Sequence, residues 1–199
     1  MRRYISAIVT AAGESKRMGR PKPMLPWQGV PLMRYQVDNL IAAGVDEVVV
    51  VLGHHHPNIS GVLSDTNSKV VYNEDYLYGK TTSVIAGVVN SSSISTDLVL
   101  LAVDQPRPAK LIASIITAHI SASALITSPR YKGRGGHPLI FSASLRNELE
   151  SITSEGQGVR EVFDVHRGEV NEVLVNDPVF RVDLNTPSEY RMAYSRYGV

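Results

Sequence analysis

The chain has 199 residues, of which 20 are Lys or Arg and 19 are Asp or Glu, so its formal net charge is +1. Apolar residues make up 43% and charged residues 20%, which excludes a disordered chain, and the near-zero charge argues against a general nucleic-acid-binding protein. Cysteine is absent, which excludes disulfide frameworks, zinc ribbons, thiolate nucleophiles and iron–sulfur clusters.

Apolar runs of strand length alternate with helical patterns over the first two thirds of the chain. The runs carry Val, Ile and Leu at consecutive positions, as strands do when both of their faces are covered. These predicted strands are residues 5–10, 47–52, 69–72, 97–103 and 124–127. The predicted helices are residues 32–43, 59–64, 82–90 and 109–120. This order predicts an α/β fold, a three-layer sandwich around a mostly parallel sheet.

After residue 128 the alternation becomes less regular. Residues 128–136 are basic and rich in glycine, which predicts a loop. The elements predicted beyond it are strands at 137–141, 169–175 and 179–184 and helices at 143–149, 159–165 and 188–197. No internal repeat or low-complexity linker interrupts the chain, so a single domain is expected.

The longest apolar runs, residues 48–52 and 98–103, are too short to cross a membrane. The first residues lead directly into a predicted strand and lack the apolar stretch and cleavage site of a signal peptide. A cytoplasmic location without membrane contact is therefore expected.

The most informative stretch is residues 11–22, which directly follow the first predicted strand, where an open α/β sheet places its ligand crevice. Ala11, Ala12 and Gly13 let the backbone approach a ligand closely, and successive N–H groups there can bind an anion. Arg17 and Lys22 can contact the oxygens of a polyphosphate. A small-residue turn followed by solvated cations is the alternative interpretation.

Two familiar nucleotide-binding motifs are excluded by their spacing. No GxGxxG follows the first strand, so a dinucleotide-binding fold lacks its fingerprint. Gly79-Lys80-Thr81 resembles the end of a P-loop, but Glu74 stands where the earlier glycine should be. Neither a dehydrogenase nor a P-loop ATPase is supported.

Two aspartates follow predicted strands. Asp104 comes after residues 98–103, at the edge where ligands bind, and Mg²⁺ needs only one or two carboxylates besides phosphate oxygens. Asp183 ends a later predicted strand, and alternation places Asn185 on the same side as Asp183. The structural alternatives are a turn or cap role for Asp104 and, around Asp183, a helix start at Thr186.

The second half of the chain offers candidates for binding an acidic substrate. Arg130, Lys132 and Arg134 precede Gly135 and Gly136, and a flexible basic loop of this kind could close over an acceptor or be merely solvated. Residues 157–160 open a predicted helix, where backbone N–H groups and the Arg160 side chain would suit a phosphate.

The three consecutive histidines, His54, His55 and His56, do not predict a metal site. Neighbouring side chains on an extended segment alternate in direction, so the three cannot all bind one ion, and a loop is expected. Four aromatic residues are predicted to pack in the core rather than to stack on a base: Trp27, Tyr72, Tyr76 and Tyr78.

One family resemblance extends along the chain. The run from Thr10 to Trp27, with Ala11-Ala12-Gly13, Ser15, Arg17, Gly19 and Lys22, resembles the signature of the MobA-like nucleotidyltransferases, most closely the molybdenum cofactor cytidylyltransferases. Further blocks match this family in the same order: Gly79-Lys80-Thr81-Thr82-Ser83, Asp104-Gln105-Pro106, Gly136-His137-Pro138, Gln157-Gly158-Val159-Arg160 and Asp183-Leu184-Asn185-Thr186-Pro187.

The resemblance implies a Rossmann-like fold of the nucleotide-diphospho-sugar transferase type. It also implies Mg²⁺-dependent transfer of CMP from CTP to a phosphate-terminated acceptor, molybdopterin, with release of pyrophosphate and a molybdenum hydroxylase as receiver of the product. The nucleotide-binding half would be about residues 1–106 and the acceptor-binding half about residues 107–199.

The resemblance also assigns roles to individual residues. Lys22 and Arg17 would be catalytic, and Asp104 and Asp183 would bind the metal. The nucleotide would contact Ala11, Ala12, Gly13, Ser15, Gly19, Thr81, Thr82 and Ser83. The acceptor would contact Gly136, His137, Pro138, Gln157 and Arg160.

Two positions depart from the family pattern. Val103 stands where the family usually has Gly, and Lys80 stands where an uncharged residue is common, so the role of Lys80 is open. The alternatives within the class are a methylerythritol-phosphate cytidylyltransferase and a sugar-nucleotide pyrophosphorylase. A non-catalytic carrier of the molybdenum cofactor is the alternative from another class.

Overall fold

A computed structural model describes residues 2–54, 56–155 and 157–199. In this part of the chain the strands are β1 Ile5–Thr10, β2 Pro26–Trp27, β3 Val30–Pro31, β4 Glu47–Leu52, β5 Ser68–Tyr72, β6 Asp97–Ala102, β7 Ile126–Tyr131, β8 Arg134–Gly135, β9 Leu139–Ser142 and β10 Val170–Leu174. The α-helices are α1 Leu32–Ala42, α2 His56–Ser60, α3 Lys80–Asn90, α4 Ala109–Ala122, α5 Arg146–Ser151, α6 Val159–Val165 and α7 Pro187–Tyr197. Short 3₁₀ helices cover Lys22–Met24, Gly61–Leu63, Tyr76–Tyr78, Ala143–Leu145, Arg167–Glu169 and Pro178–Arg181.

The main sheet has the strand order β10-β7-β9-β6-β1-β4-β5, with β8 paired to β7, and β2 and β3 form a separate hairpin. The pairs β6–β1, β1–β4, β4–β5 and β7–β10 are parallel, whereas β9 is antiparallel to both of its neighbours. Because β1, β4 and β6 are parallel, the loops that follow them meet at one edge of the sheet.

Helices cover both faces of the sheet, which confirms the predicted three-layer α/β fold. On β1, Ala7 and Val9 pack in the cluster that contains residues of α1 and α4. Ile8, between them, packs in the opposite cluster with residues of α3. Consecutive apolar residues on a central strand therefore bury both of its faces, as the sequence pattern predicts.

Two predicted elements in the second half of the chain are wrong. Residues 128–136 are not a loop, because β7 and β8 pair through a two-residue turn at Lys132 and Gly133, which have φ of 49° and 76°. Positive φ at both turn positions is the geometry that fits tight hairpins. Residues 179–184 are not a strand, because Asp177 caps a 3₁₀ turn by accepting from Val179 N at 2.9 Å, and Pro178 opens that turn.

The aromatic predictions are only partly confirmed. Trp27 is buried in the core, but the side chains of Tyr72 and Tyr78 are exposed, so their predicted core packing is wrong. None of the helices in the described ranges is both long enough and apolar enough to span a membrane.

A buried polar cluster lies at the end of the sheet opposite the loops after β1 and β6. Asp97 Oδ1 accepts from Arg3 Nη1 at 2.6 Å and lies 3.0 Å from His119 Nε2. His119 Nδ1 is 2.8 Å from Thr127 Oγ1, so the imidazole joins α4 to β6 and β7. Burial alone would raise the pKa of the Asp97 carboxyl, but the hydrogen bonds of His119, Thr96 and Arg3 lower it below its ordinary value.

This cluster predicts acid sensitivity of the fold. Because the pKa of Asp97 is lowered in the folded state, the unfolded chain binds the proton first, and the free energy of unfolding falls as pH drops below about 4. We expect Asp97→Asn to lower the free energy of unfolding at neutral pH by about 3–5 kcal/mol and to flatten its acid dependence. Urea unfolding across acidic and neutral pH measures both effects.

The exposed Asp65, which pairs with Arg34, provides the matched control Asp65→Asn, which should change little. Equal stability of Asp97→Asn and the wild type at neutral pH would contradict this role of the cluster.

Candidate active site

A cavity of about 330 Å³ opens at the carboxyl ends of β1 and β6, the edge that the sequence indicates. Its walls come from the loop after β1, the start of α3, the end of β6 and the segment before α7. The lining residues are Thr10, Ala11, Ala12, Gly13, Ser15, Lys16, Arg17, Lys22, Pro23, Tyr76, Gly79, Lys80, Ser83, Ala102, Val103, Asp104 and Asn185.

Lys22 connects three parts of this cavity. Its Nζ atom donates to Asp104 Oδ2 at 2.6 Å and to Asn185 Oδ1 at 2.9 Å. The side chains of Lys22 and Asp104 are only 13% and 19% exposed, so their ion pair is partly desolvated. Residues separated by more than 160 positions therefore converge on one ammonium group, at the point where the sequence predicts polyphosphate binding.

The loop after β1 is held in place by its own backbone. Ala11 N donates to Val51 O, and Ala12 O accepts from His54 N, so both alanines are fixed to the end of β4. Gly13 is different, because a Cβ atom placed there would meet no protein atom within 4 Å. Its small size leaves open space in the cavity wall, which is available to a ligand.

Ser15 shapes the remainder of this loop. Its φ is 55°, and its hydroxyl accepts from Lys22 N at 3.1 Å, which sets the position of the lysine. Arg17 lines the cavity and approaches Asn185 Oδ1 at 3.5 Å. Gly19, which also has positive φ, does not line the cavity but donates its N–H to Ser15 O.

The start of α3 places only one of its three predicted nucleotide-binding residues in the cavity. Ser83 lines it, together with Lys80. Thr82 instead bonds to Asp75 O and Gly79 O and so fixes the turn before α3. Thr81 packs against Gly158, because a Cβ atom added at Gly158 would lie only 2.8 Å from the Thr81 hydroxyl oxygen.

The structure places Asp183 in an adjoining cavity of about 550 Å³ rather than beside Lys22. Residues 182–184 follow a 3₁₀ turn, and Val182 and Leu184 are buried whereas Asp183 between them is exposed. Asn185 lines both cavities and connects them. Thr186, the alternative helix cap, does accept from Glu189 N at the start of α7.

A third cavity, of about 760 Å³, contains several of the predicted acceptor-binding residues, including Gly136, His137 and Arg160. Packing explains why residue 136 is a glycine, because a Cβ atom there would lie 2.6 Å from the ring of Phe180. Pro138 is buried and does not line the cavity. Burial, reinforced by the charges of Arg107 and Lys80, lowers the pKa of His137 to about 4, so its imidazole is neutral at neutral pH.

Two expectations about phosphate binding on this side need correction. The backbone N–H groups of Gln157 and Gly158 are not available to a ligand, because both donate to Glu161 Oε1 at 2.9 Å. The helix start therefore already has an anion, supplied by the chain itself. Arg130 bonds to Glu172 through two of its nitrogens, so it is fixed on the sheet rather than carried by a flexible loop.

The sequence gives little signal for Arg107, which is buried and bonds to segments that carry residues of the cavities. Its guanidinium is buried and donates to the carbonyl oxygens of His137, Pro106, Val179 and Val182. Burial lowers the pKa of Arg107 to about 10, while the charges of Asp183 and Asp104 oppose that shift. The group stays charged at neutral pH and fixes three chain segments that carry site residues.

Gln36 on α1 is a second residue that the motifs do not indicate. It is fully buried, and its Nε2 atom donates to the carbonyl oxygens of Ala102, Val103 and Gln105. This amide holds the turn after β6 and so positions Asp104.

Tyr76 lines the first cavity, and its hydroxyl lies 3.3 Å from His54 Nδ1. His55 and the side chain of His56 lie outside the described residues. Within the described ranges, no group of three His, Asp or Glu residues is arranged to hold a metal ion.

Comparison with known proteins agrees with this arrangement. The sequence model of the family described as the MobA-like NTP transferase domain matches residues 7–170. This range includes the cavity residues of β1, α3 and β6. The chain belongs to this family. Family membership makes it an enzyme of the nucleotidyltransferase class, with a nucleoside triphosphate as substrate and a phosphate as acceptor.

Individual family relatives are similar over most of their length. Nicotine blue oxidoreductase from Paenarthrobacter nicotinovorans is 32% identical over 164 residues, 78% of this chain and 79% of the relative. The molybdenum cofactor cytidylyltransferase of Escherichia coli (strain K12) is 26% identical over 198 residues, 97% of each chain.

A solved structure shares the whole fold. Rv0371c from Mycobacterium tuberculosis H37Rv is 26% identical, with a TM-score of 0.84 and coverage of 97% of this chain and 98% of that chain. A second structure of the same protein, in complex with manganese, gives a TM-score of 0.80 at the same identity, with coverage of 97% and 99%. The fold is therefore the Rossmann-like nucleotide-diphospho-sugar transferase type that the resemblance implies.

The role of Arg107 can be tested by Arg107→Met, which keeps an unbranched side chain, although a shorter one, and removes every donor. Because four carbonyl oxygens then lose a charged partner, we expect the free energy of unfolding to fall by about 3 kcal/mol or more in urea titrations. Arg191→Met on the exposed face of α7 is the control. A loss within about 1 kcal/mol, as at an ordinary surface site, would contradict this role.

Proposed function

We propose that this protein is a Mg²⁺-dependent cytidylyltransferase that transfers CMP from CTP to a phosphate-terminated acceptor of the molybdopterin type and releases pyrophosphate. The observation that carries the proposal is the contact of Lys22 Nζ with both Asp104 and Asn185 in the first cavity. The choice of acceptor is supported by the 26% identity to the molybdenum cofactor cytidylyltransferase over nearly the whole chain.

In this reaction an oxygen of the acceptor phosphate attacks the α-phosphorus of CTP, and the bond to the pyrophosphate leaving group breaks. The acceptor oxygen is already anionic, so no general base is needed. Lys22 and Arg17 place two cations in the cavity, where they would bind the triphosphate and stabilise the charge that develops on it. The loop of Ala11, Ala12 and Gly13 would hold the nucleotide in line with the acceptor.

The residues of the first cavity fit Mg²⁺. The cavity offers the oxygen ligands of Asp104 and Asn185 rather than a cage of three carboxylates, and Mg²⁺ typically takes one or two carboxylates plus substrate phosphates. Asp104 would hold the ion, and Asp183, from the adjoining cavity, is the second proposed ligand. When bound, Mg²⁺ would neutralise charge on the phosphate oxygens.

The acceptor would occupy the third cavity, in the half of the chain after residue 106. That cavity contains Gly136, His137 and Arg160, and Gln105, the residue next to Asp104, also lines it. A molecule bound there would therefore lie beside the nucleotide. A molybdenum hydroxylase would be the receiver of the product.

Two alternatives to the cytidylyltransferase can be distinguished by experiment. A non-catalytic carrier would bind the cofactor without releasing pyrophosphate. An oxidoreductase is the second alternative, because one relative is named nicotine blue oxidoreductase. The cluster of Lys22, Arg17 and Asp104 around one cavity favours phosphate chemistry over both alternatives.

The catalytic role of Lys22 is tested by Lys22→Ala. We expect kcat/KM for CTP to fall by roughly 100-fold or more, because a cation that stabilises developing charge is lost. The loop should stay folded, since the hydrogen bond from the backbone N–H of residue 22 to Ser15 remains. Lys110→Ala on the exposed side of α4 is the control. Turnover near the wild-type value would place Lys22 outside the reaction.

The choice of base is tested by pyrophosphate release from all four nucleoside triphosphates with one molybdopterin acceptor. Cytosine carries an N4 donor where uracil carries an O4 acceptor, so a backbone carbonyl that faces this position would lose its partner with UTP. Such an unpaired polar group would favour CTP by about 1–3 kcal/mol, or roughly ten- to two-hundred-fold. GTP should be used less still, because the pocket floor at the buried Ala12 would have to move to admit a second ring.

Ala12→Gly should relax the exclusion of GTP while CTP turnover continues. A wild-type preference for GTP would contradict the cytidylyl assignment but not the nucleotidyltransferase class. No pyrophosphate from any nucleotide would favour the carrier.

A further inference from the structure

One cation of the first cavity has no partner among the residues that the structure describes. Four basic side chains in this part of the chain line the cavity, and three of them have a partner: Lys16 with Glu14, Arg17 with Asn185 and Lys22 with Asp104. The fourth, Lys80, makes no hydrogen bond or ion pair with a described residue. Because Lys80 is exposed, its ammonium group is available to an anion that enters the cavity.

The place of Lys80 in α3 gives no structural reason for a lysine. Lys80 is the first residue of this 11-residue helix, and the positive end of the helix dipole lies at the same end. The first turn of α3 contains no acidic residue that would offset the cation. A lysine there opposes the dipole, so its charge does not stabilise the helix. A bound anion explains the charge of Lys80 better than the stability of the fold does.

Lys80 lies where the first cavity meets the third. The next residue, Thr81, packs against Gly158, and Val159, which follows Gly158, lines the third cavity. The charge of Lys80 also reaches that cavity, because it contributes, after burial and the buried guanidinium, to the lowered pKa of His137 in the cavity wall. An anion bound between the two cavities would therefore lie beside Lys80.

The two anionic groups of the proposed reaction need different cations. Arg17 and Lys22 both contact Asn185 in the segment before α7, and these two cations are proposed to bind the triphosphate of CTP. The acceptor phosphate carries its own negative charge and has to approach the triphosphate before it can react. Like charges repel each other unless a cation lies beside them, and Lys80 is a cation on the side of the third cavity.

We propose that Lys80 binds the terminal phosphate of the acceptor and holds its attacking oxygen toward the α-phosphorus of CTP. The ammonium group keeps its proton while the bond from that oxygen to the α-phosphorus forms and the bond to the pyrophosphate leaving group breaks. Lys80 is thus a binding and positioning residue, and the proposal rests on the proposed function because it takes the third cavity to hold the acceptor.

The test compares pyrophosphate release by the wild type, Lys80→Met and Lys80→Arg, with molybdopterin and CTP varied separately. Because Met removes the ammonium group but keeps an unbranched side chain, we expect KM for molybdopterin to rise roughly tenfold or more in Lys80→Met, with KM for CTP changed by less than about twofold. Lys80→Arg keeps a cation and should recover most of this loss. The matched control is Lys110→Met, because Lys110 is also an exposed lysine in the first turn of a helix, α4, but lines none of the three cavities.

Two further measurements separate a phosphate contact from a structural role. In calorimetry on the full-length protein, Lys80→Met should weaken binding of molybdopterin but not of its dephosphorylated form. The melting temperature of Lys80→Met should equal or slightly exceed that of the wild type, as in Lys110→Met, because each variant removes a cation from a helix start. A lower melting temperature, equal weakening of both forms of the acceptor, or a raised KM for CTP with an unchanged KM for molybdopterin would each overturn the proposal.

The outcomes also separate this inference from the proposed function. If the wild type releases pyrophosphate from CTP but Lys80→Met uses molybdopterin with an unchanged KM, the role of Lys80 fails and the enzyme assignment stands. If no nucleotide yields pyrophosphate but the calorimetric affinity for molybdopterin depends on Lys80, the phosphate contact stands and the transferase assignment fails. A wild type that does not bind molybdopterin would overturn the role of Lys80.

Discussion

A buried guanidinium holds two segments of the second half of this protein against the turn that follows β6. Arg107 is 1% exposed, and its donors reach carbonyl oxygens on the turn after β6, on the segment before β9 and on the segment around the 3₁₀ helix Pro178–Arg181. Those segments carry Gln105, His137 and Asp183. Because a planar group with five N–H donors fixes direction as well as distance, Arg107 fixes these three segments relative to one another.

The first cavity depends on a different contact, between Lys22 and Asp104. The ion pair is partly desolvated, so it is stronger than an exposed pair would be, and it joins the loop after β1 to the end of β6. Asn185, in the segment before α7, accepts a hydrogen bond from the same ammonium group and so ties this segment to the other two. The cation expected to bind phosphate and the carboxylate expected to bind Mg²⁺ therefore lie within hydrogen-bond distance before any substrate arrives.

The parts of this arrangement that the sequence predicts are those with a local signal. Consecutive Val, Ile and Leu residues identify the central strands, and the residues that follow them, including Lys22 and Asp104, fall at the ligand-binding edge. Arg107 leaves no such pattern, because its partners are backbone carbonyls as far away as residue 182. Two further features do have a local signal, since Asp177-Pro178 is typical of a turn and Glu161, three residues after Gly158, is typical of a capped helix start.

The most direct measurement of the central claim is a Mg²⁺ titration of pyrophosphate release from CTP, with a molybdopterin acceptor, in the wild type, Asp104→Asn and Asp183→Asn. The account predicts no release in the presence of a chelator and a rise of roughly tenfold or more in the half-saturating Mg²⁺ concentration for Asp104→Asn. Asp183→Asn should show a smaller rise, because Asp183 lines the adjoining cavity. Release without a divalent metal, or an unchanged Mg²⁺ requirement in Asp104→Asn, would contradict the account.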